Sequence, residues 1–183
     1  EELLAAVEKE NASVKDIMDE YNRELMKDED LDPRTFSLRM VEKLHSLWSD
    51  REPVVVVYFS PPYYPHIYVE GTAEKEKNLI DAVAEAVDST KTDYRLVYKK
   101  FFPYISDLSY GSAPKDPVII AGIKNNMPGF GRTYDIPLED MQKLDLPVLD
   151  IGSFGKDAHK FTERIEKRYS FEVAPELVER TIK

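Results

Sequence analysis

Residues 151–165 read IGSFGKDAHKFTERI. They place two glycines, an aspartate, a histidine and a glutamate in one short stretch of a chain that holds 3 histidines. The stretch follows an apolar run, LPVLD, that reads as a strand. In open α/β sheets, ligands sit beyond the carboxyl ends of strands, and Gly152 and Gly155 let the backbone turn sharply there. A neutral imidazole is the commonest protein metal ligand, which makes His159 a candidate donor. If a helical turn starts near His159, Glu163 lies four residues on and shares its face, where a carboxylate orients a ligating imidazole. Two readings stay open on spacing: a metal ligand with a supporting carboxylate, or a surface loop whose histidine caps or packs. A single histidine without neighbours in sequence weighs towards the second.

Two other stretches hold polar groups after apolar approaches. In FFPYISDLSYGS, Ser106 and Asp107 follow the run YRLVYKKFF, and Asp107 suits a helix cap, a loop tie or a cleft wall. In NNMPGFGR, Asn125, Asn126 and Arg132 with two glycines suit recognition of a carboxylate, which a guanidinium binds through paired hydrogen bonds. Residue types alone favour a cap in the first case and an ordinary turn in the second. His66, among tyrosines and prolines in YYPHIY, reads as a packed loop residue, and His45 reads as a solvated residue on a helix flank. Asp28, Glu29 and Asp30 form a charged turn.

Several chemistries are excluded. The chain has no cysteine, so disulfides, thiolate nucleophiles and iron–sulfur clusters have no ligands. GFGR breaks the G-x-G-x-x-G dinucleotide spacing, and there is neither a G-x-S-x-G elbow nor a phosphate-binding P-loop. A net charge of −10 argues against a nucleic-acid partner, which needs a basic face, and against anionic membranes. No apolar run approaches the roughly 18 residues of a membrane span. A cysteine-free chain fits a reducing, cytoplasmic setting.

The elements that must position these groups read as alternating helices and strands. Apolar residues at three- and four-residue spacing predict helix from Glu1 to Lys27, with a break at Asn11–Ala12–Ser13. Asp32 offers a cap and Pro33 a first helical position for the next helix, which ends near Asp50. PVVVVYFS, DYRLVYKK, PVIIAGI and LPVLDI predict strands. TAEKEKNLIDAVAEAVDS, capped by Thr72, PLEDMQKL and PELVERTIK predict helices. The expected class is α/β, a mixed, mainly parallel sheet with flanking helices. The proline cluster Pro61 to Pro65 is the expected domain boundary.

Taken in order, these stretches resemble the carboxyl-terminal half of the zinc aminoacylase/carboxypeptidase family, which includes succinyl-diaminopimelate desuccinylase. That family ends in a Thr/Ser–Asp loop, a glycine-containing loop with AHxxxE, and a last helix. Ser106–Asp107 resembles the first of these, and Gly152 to Gly155, Ala158–His159 and Glu163 resemble the second. PPYYPH, YISDLSY, NNMP and GKDAHKFTER look closest to the arginine-utilisation, RocB-type branch. The resemblance implies a two-zinc amide hydrolase in which metal-bound water attacks an amide. His159 then matches the last metal ligand, Glu163 supports it, and Ser106, Asp107 and Asn126 line the substrate cleft. It also implies that Asp107 and His159 sit at strand ends facing one cleft.

The departures matter as much. The family's His-x-Asp pair, bridging aspartate and Glu–Glu pair have no counterpart upstream of Ser106. On the resemblance, residues 1–68 are the returning part of an inserted α+β lid domain and residues 69–183 the carboxyl-terminal lobe of the catalytic domain. The expected function is thus the carboxyl-terminal part of a cytoplasmic zinc-dependent peptidase, acting on an N-acyl amino acid or small peptide, in arginine breakdown. The chain alone is expected to be inactive and to bind no zinc tightly, because a catalytic zinc needs about three protein ligands. A homodimer stays open. The first rival is a non-catalytic α/β binding module that lost the metal site. The second is a metal-free hydrolase using Asp107 and His159, for which no nucleophile is evident.

Overall fold

The computed structural model describes residues 1–102 and 105–183; Pro103 and Tyr104, the latter opening the YISDLSY stretch, lie outside the described residues. The chain forms two compact units. The first comprises residues 1–63 and 113–142, and the second residues 64–112 and 143–183. The first crossing falls within the proline cluster, between Tyr63 and Tyr64.

The first unit is helical. Helices α1 (Glu2–Glu10) and α2 (Val14–Leu25) are separated where the sequence predicts a break. Asn11 leaves the helical region there, and its side-chain oxygen accepts the Ser13 N–H at 3.0 Å. Helix α3 (Pro33–Ser46) starts as expected: the Asp32 carboxylate accepts the N–H groups of Arg34 and Thr35 at 3.0 and 3.1 Å. The Thr35 hydroxyl and those two N–H groups hold the Asp32 carboxyl below its ordinary value. The core joins Leu25, Phe36 and Met40, with Met18, Tyr21 and Leu31 packed around them. Phe36 is fully buried, and burying such a side chain contributes about 1.5–3 kcal/mol.

PVIIAGI, expected as a strand, is helix α5 (Pro117–Asn125). The reason is local: the Asp116 carboxylate accepts the Val118 N–H at 2.8 Å, and Pro117 occupies the first turn, where a missing N–H costs nothing. These starting signals outweigh the β-branched run. PVVVVYFS forms no strand either. Its Phe59 N–H bonds instead to the Asn126 carbonyl at 2.8 Å. Helix α6 (Leu138–Leu144) follows Pro137 as predicted, and the second unit resumes at Lys143, inside its last turn.

In the second unit, α4 (Glu74–Ser89) packs on α7 (Ala174–Ile182). Ala86, Val173 and Leu177 form its core, with Val87, Leu96, Ile151 and Tyr169 against them. Thr72 is not the cap of α4; Ala73 holds that position. Glu76 reaches back instead, and its carboxylate accepts the N–H groups of Gly71, Thr72 and Ala73 at 3.0–3.2 Å. A one-turn π-helix, Tyr169–Val173, leads into α7.

Among the described residues the mainly parallel sheet is not found. The described strands are two-residue antiparallel pairs. β1 (Ile67–Tyr68) pairs with β2 (Phe101–Phe102), and β3 (Gly155–Lys156) with β4 (Arg164–Ile165). DYRLVYKK and LPVLDI run without a ladder. From Tyr94 to Lys99, half-buried and exposed residues still alternate, as they do along a strand. The class is therefore a mixture of helices with small antiparallel pairs.

Candidate functional site

His159 lies in the turn that joins β3 to β4. No helical turn starts there. Asp157 and His159 both adopt left-handed backbone, with φ of 59° and 61°, a region open to few non-glycine residues. The turn is tied together by the Asp157–Arg164 ion pair. Its backbone bonds run from the Lys160 N–H to the Asp157 carbonyl at 3.0 Å, and from the Glu163 N–H to the Lys160 carbonyl at 2.9 Å. Gly155 is needed for close approach, since a Cβ there would fall on the Arg164 carbonyl oxygen. The Glu163 carboxylate meets His159 at the main chain, accepting its N–H at 3.3 Å. The His159 side chain is exposed.

Ser106 and Asp107 start a 3-10 turn, Asp107–Gly111, rather than ending a strand. The Ser106 hydroxyl accepts the Leu108 N–H and donates to the Asp150 carboxylate, both at 3.3 Å. Asp107 is exposed in the first turn. Neither Asp107 nor His159 therefore sits at a strand end.

Asp150 is the residue that sequence reasoning missed. It ties the Ser106 loop to the wall of a cavity of about 790 Å3 in the second unit, between α4, α7 and the two runs that lack ladders. Val83, Val87, Leu96, Val148 and Leu177 supply an apolar lining, and Lys99, Lys100 and Asp150 supply charge. A volume of this order matches small-molecule sites with apolar walls and few polar groups. The only cue to Asp150 in sequence is its place at the end of LPVLD, two residues before Gly152.

Asn126 belongs to the first unit. It ends α5: its side-chain amide donates to the Gly122 carbonyl at 2.8 Å, and its side-chain oxygen accepts from the amino group of Glu1 at 3.1 Å. The other two histidines serve locally. His66 is exposed and meets the ring of Phe101, while His45 is half-buried rather than solvated and stands edge-on to Trp48.

Among the described residues, no three His, Asp or Glu side chains converge so as to hold a metal ion. The donor set of these residues thus does not by itself fit a zinc centre, for which His159 offers one exposed imidazole. Nor is any described helix long and apolar enough to cross a membrane.

Comparison with known proteins points to the same branch. The chain is 36% identical over 155 residues to Protein RocB of Bacillus subtilis (strain 168), a match covering 84% of this chain and 27% of RocB. The chain is RocB-like. The resemblance to the RocB-type branch, drawn from motifs, is borne out. It is also 38% identical over 156 residues to the uncharacterized protein YqjN of the same organism, again covering 84% of this chain and 27% of the relative. The match thus spans little more than a quarter of the length of the curated relatives. No family model matches the chain, and no solved structure matches it.

Proposed function

We propose that the chain is the RocB-type, carboxyl-terminal part of a larger zinc-dependent amide hydrolase or peptidase. Its substrate is an N-acyl amino acid or small peptide, in arginine breakdown. The observation that carries this is the 36% identity to RocB across 84% of the chain, with SD, GKDAH and Glu163 in the order of the aminoacylase/carboxypeptidase family. In this reading His159 is one metal donor, and the others come from residues outside this chain. The exposure of His159 on a turn braced by Glu163 and by the Asp157–Arg164 pair supports a donor that faces a partner surface. The Ser106–Asp150 contact and the apolar cavity beside it suit an acyl group or apolar side chain.

The test is made on the longer polypeptide that contains this chain. Amino-acid release from N-acyl amino acids and dipeptides is measured with bound zinc, for the wild type and for His159→Ala. The expected result is zinc-dependent release that falls by more than about 100-fold in the variant. Unchanged release and zinc content would remove His159 from the site. Stoichiometric, submicromolar zinc binding by the 183-residue chain alone would overturn the reading that the other donors lie elsewhere. A long polypeptide with neither zinc nor hydrolysis would favour the non-catalytic binding module.

A further inference from the structure

The first unit holds its own cavity, of about 460 Å3, to which neither His159 nor the Ser106–Asp150 contact belongs. Its lining is divided by chemistry. Met18, Met40, Leu44 and Val56 give an apolar floor drawn from α2, α3 and the PVVVVYFS run. Met40 is buried and Met18 and Leu44 are half-buried, so the floor is built into the unit's core rather than laid on its surface. Methionines make it adaptable to the shape of an apolar guest.

Another part of the lining comes from the last turn of α5 and the NNMPGFGR segment after it, and carries Lys124 and Arg132, both exposed. The Lys124 ammonium lies 5.5 Å from the centre of the Phe130 ring, which holds a cation beside an apolar face. The Arg132 guanidinium is positioned by Asp19, at 3.3 Å, through one nitrogen. A guanidinium has five N–H donors in a fixed fork, so one such contact orients it and leaves donors for a second anion. The pairing is between exposed side chains, a class that contributes little, so Asp19 competes only weakly.

We propose that this cavity binds a carboxylate with an apolar tail, the tail on the methionine-lined floor and the carboxylate on Arg132 and Lys124. The planar fork of arginine matches a carboxylate's two oxygens. The lining carries Lys15, Lys124 and Arg132 against the side-chain carboxylates of Glu1 and Asp19, so it favours an anion even in a chain of net charge −10, because local charge in a cleft can oppose the global sign. The proposal does not depend on His159, although the cavity takes in Asn126, which the resemblance assigns to the substrate cleft.

The experiment is isothermal titration of the full 183-residue chain with sodium octanoate, octylammonium and acetate. Octanoate should bind saturably with one site. Octylammonium, with the same tail and the opposite charge, and acetate, with the same head and no tail, should each bind at least about tenfold more weakly. Lys124→Gln with Arg132→Gln changes two exposed residues and should weaken octanoate by about tenfold or more while the thermal unfolding curve stays in place. Asp19→Asn removes the competing carboxylate and should tighten octanoate. The proposal is overturned by no octanoate binding up to about 5 mM, by equal binding of octylammonium, by an affinity indifferent to the Lys124 and Arg132 changes, or by weaker binding in Asp19→Asn.

Discussion

His159 sits where side-chain chemistry and backbone strain can be separated. Its φ of 61° is left-handed, and that region costs a typical L-residue about 1–2 kcal/mol. Glycine pays no such penalty, and histidine less than a β-branched residue. His159→Gly should therefore leave stability within about 1 kcal/mol of the wild type, whereas His159→Val should lower it by about 1–2 kcal/mol. Urea unfolding of the two variants checks this; equal losses in both would mean that the left-handed turn is not what the position demands. The comparison bears on the hydrolase reading too. Glycine removes the imidazole and keeps the turn, so activity lost in His159→Gly is lost with the donor and not with the fold. The bond from the His159 N–H to Glu163 survives either change, because it belongs to the main chain.

At the scale of elements, α4 depends on one carboxylate. Burial alone would raise the Glu76 carboxyl; the Ala73, Thr72 and Gly71 N–H groups outweigh burial and hold it below its ordinary value. A carboxyl lowered in the folded state contributes stability above its unfolded value, and that contribution is lost as pH falls through the folded value. Glu76→Ala should cost about 1–2 kcal/mol at neutral pH, and the gap from the wild type should narrow as pH falls below the ordinary glutamate value. Unfolding curves at pH 7 and pH 3.5 decide this, and a gap that persists undiminished in acid would show that Glu76 acts by packing. The same element shows what sequence can and cannot reveal. Starts fixed by nearby groups, such as Asp32–Pro33 and the break at Asn11–Ser13, are legible because donor and acceptor lie within a few residues. PVIIAGI misleads because its β-branched run and its Asp116–Pro117 start point in opposite directions, and the cap prevails. PVVVVYFS, DYRLVYKK and LPVLDI have the composition of strands, but a ladder needs a partner that no local pattern supplies. The candidate site divides the same way: a cap at SD is readable, although the sequence points to Asp107 and the structure gives the cap to Ser106, whereas the contact of Ser106 with Asp150, 44 residues on, is not readable.

For the whole molecule, the weightiest unspent feature is the PVVVVYFS run of the first unit. Val55 and Val57 are 89% and 87% exposed, while Val56 and Tyr58 between and beside them are half-buried; Val56, Val57 and Tyr58 all touch the cavity. A run with apolar residues on both faces is the pattern of a strand buried on both sides, and its free backbone groups invite pairing. Fully burying one valine contributes at least about 1.5 kcal/mol, so two from each copy in a symmetric pair supply several kcal/mol. Association itself costs roughly 4–15 kcal/mol, which leaves a weak complex. The net charge of −10 opposes it further, but screening confines that repulsion to about 8 Å at physiological salt. The 183-residue chain should therefore associate reversibly with itself, more strongly as salt rises. Val55→Lys with Val57→Lys should abolish the association although it lowers the net negative charge by two, a change that on charge alone would favour pairing. Sedimentation velocity across protein and salt concentration separates the two effects: a wild type that stays monomeric throughout, or a double lysine variant that associates as well as the wild type, would show that this run makes no interface.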